Sequence, residues 1–341
     1  MRLLCHRTQA GLSPACVPEL LLPESAENFV SAELVAVIVA VTQGEPRVLV
    51  RTADPANGAR AKFGGLPSGA FQPGHRSLQA GMRTWVETQT HHPLGYVEQL
   101  YTFADHDRFD DAGPRAISVS YLCLTREGTA TGATPAAWQD WYRYFPWEDK
   151  RVNEPAVLTD VIVPRLREWV ANTRDSELRA LRVQRLALVF GLDGAPWNED
   201  MVLQRYELMY EAGLVTEAAR HTPAAARDAV PGDAMRNDHR RILATGIARL
   251  RAKIKYRPVV FELLPPAFTL LQLQQTVEAL AGRDLHKQNF RRQVEQQDLV
   301  EETGEMAVGT AGRPAKLFRF RRDLLAERAI AGSKLPLSRQ A

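Results

Sequence analysis

The sequence predicts an α+β protein in three parts: a strand-and-helix sandwich, a helical insert and a C-terminal winged helix-turn-helix. Three observations predict it. Residues 1–150 read strand, strand, helix, strand, strand; residues 151–237 carry an apolar period near 3.6 residues and end in a linker; residues 238–330 read helix, helix, helix, hairpin. With 341 residues, 45% of them hydrophobic and 24% charged, the chain is long enough for two modest domains.

Near the N-terminus, Pro18 and Pro23 bracket the one apolar run and Glu19 interrupts it, which argues against a signal-peptide core. No uninterrupted apolar stretch approaches the roughly 20 residues of a membrane span, so a cytoplasmic protein with no membrane partner is expected. Cys5, Cys16 and Cys123 show no CxxC spacing, which suggests a reducing compartment and no zinc site. "ELVAVIVAV" (33–41) is a continuous apolar, β-branched run, the mark of a strand covered on both faces. "GEPRVLVR" (44–51) follows as its hairpin partner, with the turn at Gln43–Gly44–Glu45–Pro46. Ser77–Thr90 is a helix with Ser77 as N-cap and Leu78, Met82 and Trp85 on one face. Residues 95–105 and 115–125 alternate as strands across a polar loop, and 136–150 read as an aromatic-rich connector against the sheet.

Three periodic helices are expected between residues 155 and 216, then an Ala/Pro/Gly-rich loop or linker at 219–237. A long helix starts at Asp238, with Ile242, Ile247, Leu250 and Ile254 on its apolar side. A short helix between prolines follows, then one capped by Thr269 and stopped at Gly282, then "HKQNFRRQVEQQ" (286–297) and a hairpin. Phe290 and Val294, four residues apart, face inward, which turns Lys287, Gln288, Arg291 and Arg292 outward with Asn289 beside them. Arg suits bidentate contact with guanine, and Asn or Gln with adenine, so this face can read base edges in a major groove. Arg313, Lys316, Arg319 and Arg321 along the hairpin are natural phosphate contacts. The overall charge of +3 hides a split, because residues 240–341 hold 19 Lys/Arg against 10 Asp/Glu. A basic tail on an acidic body suggests a polyanion partner, with a partnerless basic surface as the plain alternative. The capped helix, basic exposed face and basic wing together make that partner double-stranded DNA, with a solvated helix face as the competing reading.

Residues 65–90, "GLPSGAFQPGHRSLQAGMRTWVETQT", resemble a Nudix box, the glutamate-rich signature of diphosphate hydrolases. With the first box glycine on Gly69, the box arginine falls on Arg83, while box glutamates fall on His75, Thr84, Glu87 and Thr88. Only Glu87 survives, and a lone carboxylate is a poor magnesium site, so no metal and no catalytic residue are assigned. The layout, with "DHRRILATGIARLRAKIKYRPVVFELLPPAFTLLQLQQTVEALAGRDLHKQNFRRQVE" and "GRPAKLFRF", resembles the Nudix-related regulators of bacterial NAD metabolism (NrtR-like), and among them the NadQ type. The resemblance implies a homodimeric repressor of NAD biosynthesis or salvage genes. Its Nudix-like domain would sense an adenine nucleotide (NAD, ADP-ribose or ATP) as effector, with no required cofactor and no cleavage. Arg51, Phe63, Gly65, Leu66, Arg83 and Glu87 are the candidate effector contacts. Turn chemistry explains Gly64–Gly65 as well, an ordinary strand end explains Arg51, and a helix-supporting pair explains Arg83 with Glu87. The alternative is an active hydrolase whose metal site is rebuilt from Glu98, Asp105 or Asp107.

Overall fold

A computed structural model describes residues 30–51, 63–90, 94–104, 116–128, 136–220, 229–307 and 314–321. Cys5, Cys16, Asp105, Asp107 and Arg313 lie outside these residues. The strands are β1 Ser31–Thr42, β2 Glu45–Arg51, β3 Ser68–Ala70, β4 Tyr96–Phe103, β5 Ala116–Leu124 and β6 Ala136–Asp140. They form one sheet in the order β4-β5-β1-β2-β6, with β3 paired to the first part of β1. Only β1 and β5 run parallel; the other pairs are antiparallel. The turn after β1 is tighter than the sequence suggests. Gln43 (φ 54°) and Gly44 (φ 76°) alone make it, and Glu45 and Pro46 already pair with Thr42 and Val41.

Residues 34–40 of β1 are all buried, and alternate side chains enter two cores. Leu34, Ala36 and Ile38 meet α1 (Leu78–Thr90) through Met82 and Val86, with Trp85 packed alongside. Ser77 caps α1 by accepting from the Ala80 amide at 3.1 Å. Val35, Val37 and Val39 face the other way, into the larger core. Against that face lies α5 (His239–Lys253), whose Gly246 sits on Val37 so closely that a Cβ would come within 2.9 Å of it. Sequence groups α5 with the winged helix. In the structure it also forms the second helical layer of the sandwich.

Two stretches differ from their sequence reading. Residues 136–140 are an edge strand on β2 as well as a connector, because the Ala136–Asp140 backbone pairs with Arg47–Arg51. The last part of the 219–237 loop is a packed strap: Val230 donates to Leu214 O at 2.8 Å, Asp233 to Arg143 O at 2.8 Å, and Met235 is buried.

The insert holds α2 (Val163–Ala171), α3 (Ser176–Phe190) and α4 (Val202–Glu211), and its buried face joins the larger core. In the C-terminal part, α6 (Leu270–Ala281) begins in a capping box, where Thr269 and Gln272 serve each other's backbone amides at 3.1 and 2.8 Å. It stops at Gly282, in the left-handed region at φ 69°. Next come α7 (Lys287–Gln296) and the hairpin of β7 (Val300–Met306) and β8 (Lys316–Phe320). Phe268 bridges Phe318 through both backbone bonds, at 2.9 and 2.8 Å, and Phe320 stacks on Phe261 at 4.2 Å. These contacts lash the wing to the helices.

Candidate nucleic-acid interface and effector turn

On α7 the apolar pair is buried, Phe290 at 2% and Val294 at 1% exposure. Lys287 in the first turn, Gln288, Arg291 and Arg292 are exposed, with Asn289 half-buried. The one side-chain bond on this face runs from Arg292 to Asn289 Oδ1 at 3.5 Å, long enough to yield readily. Among the described residues, Lys287, Arg291 and Arg292 carry no ion pair. The face therefore presents cationic and amide donors, and its one nearby acid on the helix, the exposed Glu295, forms no ion pair with them among the described residues.

The wing is different. Lys316 is bound by both oxygens of Glu302 (2.8 and 2.9 Å), Arg319 by Glu301 (2.6 Å), and Arg321 by Asp298. These expected phosphate contacts are paired across the hairpin in the free protein. The pairs are exposed, and such pairs are worth about 1 kcal/mol or less, so phosphate can displace them. The basic tail is also less basic at its surface than its residue count suggests, since Arg240 and Arg251 are buried against Glu217 and Glu148.

The effector candidates are split. Arg51 and Gly65 are brought together, exchanging backbone bonds at 2.8 and 3.0 Å, and Phe63 is half-buried beside them. Leu66, however, is 0% exposed, and its amide donates to His239 Nδ1 at 2.9 Å. The protein's own α5 thus takes the backbone donor that sequence offered to a ligand. Gly65 is covered by Arg236, since a Cβ there would lie 2.6 Å from Arg236 Nε. Arg236 also donates its amide to Gly64 O at 3.0 Å and its guanidinium to Ser68 Oγ at 2.6 Å. Sequence reasoning missed Arg236 and His239. The glycine doublet signals a close approach, but nothing local names the residue that makes it.

Arg83 makes no ion pair with Glu87 among the described residues and instead donates to the carbonyls of Leu94 (2.9 Å) and Gly95 (3.2 Å), just ahead of β4. Glu87 is exposed. The other box positions hold local turn bonds: His75 Nδ1 accepts from the Gln72 amide at 3.1 Å, and Thr84 donates to Ala80 O at 3.0 Å. Glu98, the described carboxylate of the hydrolase alternative, is engaged by Lys253 and Tyr96. Burial raises its pKa, but the Lys253 and Tyr96 hydrogen bonds outweigh that and hold the carboxyl below its usual range. Among the described residues no group of three His, Cys, Asp or Glu side chains is placed to hold a metal ion. No helix of the described residues is long and apolar enough to cross a membrane.

Comparison with known proteins agrees with this geometry. Residues 260–320 match the family model of the NrtR DNA-binding winged helix domain, starting just after α5. An ADPR-responsive transcriptional repressor of Acinetobacter baylyi is 40% identical over 83 residues, 24% of this chain and 33% of the relative. The match thus spans about a third of that relative's length. Shewanella oneidensis NrtR, crystallised with a 27mer DNA, superposes with a TM-score of 0.52 at 20% identity, over 86% of this chain and 95% of that one. A MutT/nudix family protein from Enterococcus faecalis gives 0.52 at 15% identity, over 88% and 89%. At these identities the likeness is one of fold, and it extends over most of the chain. Residues 260–320 are thus similar to the NrtR DNA-binding winged helix domain, and the chain as a whole shares its fold with Shewanella oneidensis NrtR and with the Enterococcus faecalis MutT/nudix family protein.

Proposed function

We propose that this chain is a cytoplasmic transcriptional repressor of NAD biosynthesis or salvage genes, binding operator DNA through α7 and its wing. A single observation carries the reading: α7 buries Phe290 and Val294 while Lys287, Gln288, Arg291 and Arg292 stand exposed, with no ion pair on them among the described residues. The NrtR-type match over the same residues supports it. The Nudix-like domain serves as the sensor of an adenine nucleotide, and the ADPR-responsive Acinetobacter relative favours ADP-ribose among NAD, ADP-ribose and ATP. We take the sensor to be catalytically silent, because the box keeps Glu87 alone and Glu98 is engaged by Lys253. A homodimer fits a palindromic operator. The insert is its proposed contact, since Leu181 (63%) and Leu188 (52%) lie exposed seven residues apart on α3.

The test is the gel mobility of a labelled promoter fragment from an NAD biosynthesis operon, with and without NAD, ADP-ribose and ATP. A shifted band that one nucleotide alters supports the reading and names the effector. No shift at moderate salt under any condition removes it. Magnesium-dependent turnover of ADP-ribose would instead favour the hydrolase alternative.

A further inference from the structure

Four arginines in the larger core or at its edge invite comparison. Arg205 and Arg251 are buried on Glu148, and Arg240 on Glu217. A guanidinium taken out of water needs such a counter-charge, or its desolvation goes uncompensated. Arg236 breaks the pattern. It lies along Gly65 and gives one hydrogen bond, to the neutral Ser68 hydroxyl at 2.6 Å. Its Nε is buried without a partner, and no carboxylate pairs with it among the described residues. The charges that act on it are Glu33, with which it forms no ion pair, and Arg51, which carries the same sign. Arg51 likewise has no carboxylate partner among the described residues.

We propose that Arg236 and Arg51 flank the Gly64–Gly65 turn as a cation pair that binds the diphosphate of a nucleotide, and that Arg236 relays occupancy of this site to α5. This deepens, and rests on, the nucleotide-sensing reading above. Two planar guanidiniums suit a diphosphate, whose oxygens accept several charge-assisted bonds at once. Without that anion, burial and the charge of Arg51 hold the Arg236 guanidinium below its usual pKa; the Glu33 carboxylate only partly opposes them. The pair thus stands short of one negative group.

The relay follows from chain connectivity. Arg236 is three residues ahead of α5, and its amide and side chain grip Gly64 and Ser68 while His239, the first residue of α5, grips Leu66. Arg251, near the other end of α5, donates to Leu280 O of α6 at 2.8 Å. An anion that draws Arg236 off Ser68 acts on one rigid helix whose far end holds the winged helix.

Calorimetric titration of the full chain with ADP-ribose and, separately, inorganic pyrophosphate tests the pair in wild type, Arg236→Gln, Arg236→Lys and Arg51→Gln. Arg236→Gln should weaken both ligands roughly ten- to hundredfold, the loss of one or two charge-assisted bonds, and Arg236→Lys should restore part. The DNA affinity of Arg236→Gln should cease to respond to ADP-ribose. Unchanged ADP-ribose affinity in Arg236→Gln overturns the pair and leaves nucleotide sensing intact. Pyrophosphate binding that Arg236→Gln abolishes, with no ADP-ribose binding by wild type, supports the pair and overturns nucleotide sensing. A wild-type chain that binds neither ligand overturns both. If Arg236→Gln does not fold, Arg51→Gln decides in the same way from a half-exposed strand end.

Discussion

Arg251 on α5 donates to Glu148 Oε2 at 2.7 Å, with both side chains 1% exposed. Arg205 of α4 donates to the other carboxylate oxygen at 2.5 Å. One carboxylate therefore ties the segment after β6 to the insert and to the long helix. The tie continues into the winged helix. Arg251 Nε caps Leu280 O at 2.8 Å, the Tyr142 hydroxyl caps Ala279 O at 2.7 Å, and the Lys150 amide caps Gly282 O at 2.8 Å. The last carbonyls of a helix have no intrahelical donors, so these bonds both satisfy α6 and fix its position on the sandwich.

Glu148→Gln should therefore destabilise the whole chain. It keeps the shape but leaves two buried guanidiniums without a counter-charge. Breaking a buried pair in this way costs about 3–5 kcal/mol. Urea unfolding followed by tryptophan fluorescence measures it, and an unchanged midpoint would mean that Glu148 does not neutralise these arginines.

Acid should destabilise the fold through the same residue. Burial alone would raise the Glu148 pKa, but Arg205 and Arg251 outweigh it and hold the carboxyl below its ordinary value of 4.5. A depressed folded-state pKa contributes stability above the unfolded value and loses it as pH falls toward the folded one. Asp149, held down by Arg151, and Glu98, held down by Lys253 and Tyr96, act with the same sign. Asp140 and Glu278, raised by burial, act with the opposite sign, but neither is gripped by two buried guanidiniums. Melting temperature should fall steadily below about pH 4.5, and Glu148→Gln should flatten that fall. An equally steep fall in the variant would assign acid unfolding to other groups.

Gly282→Ala should harm both stability and DNA binding. The position has φ 69°, and an added Cβ would overlap the Glu148 carbonyl oxygen and approach the Tyr142 hydroxyl at 2.9 Å. A side chain in this left-handed conformation, with backbone on one side, costs roughly 1–3 kcal/mol. Because Gly282 ends α6, the substitution should tilt α7 and weaken DNA binding even at temperatures where the chain stays folded. Wild-type DNA affinity in a measurably destabilised variant would show that α6 docks without setting α7.

Much of the scaffold was legible because it is written locally. The seven buried residues of β1 are one apolar run, Thr269 and Gly282 mark both ends of α6, and Phe290 with Val294 set the orientation of α7. The three residues of β3 are too few for any periodicity, and β6 holds tryptophan and polar residues that read equally well as a connector. The site was less legible for a different reason. Leu66 and His239 stand 173 residues apart, Ser68 and Arg236 stand 168 apart, and Glu148 and Arg251 stand 103 apart. A sequence read by spacing counts these arginines as surface charge. Only the fold shows which of them have a carboxylate.

The wing should matter less than α7. Lys316 already holds Glu302, so DNA must first break that pair to gain the cation. Lys316→Ala should lower operator affinity by no more than a few-fold, whereas Glu302→Ala, which frees the lysine, should raise it slightly. Titration of a labelled duplex with each variant measures both, and a large loss in Lys316→Ala would make the wing a principal contact.

The most direct measurement is the fluorescence anisotropy of a labelled operator duplex titrated with wild type and with Arg291→Ala/Arg292→Ala across a salt series. The double variant keeps Phe290 and Val294, so its fold should persist. Its affinity should fall at least tenfold at moderate salt, and if both arginines hold phosphate, the slope against salt should flatten by about 0.9 for each phosphate left without its arginine. Wild-type affinity and slope in the double variant would contradict the assignment of α7 as the DNA-reading helix.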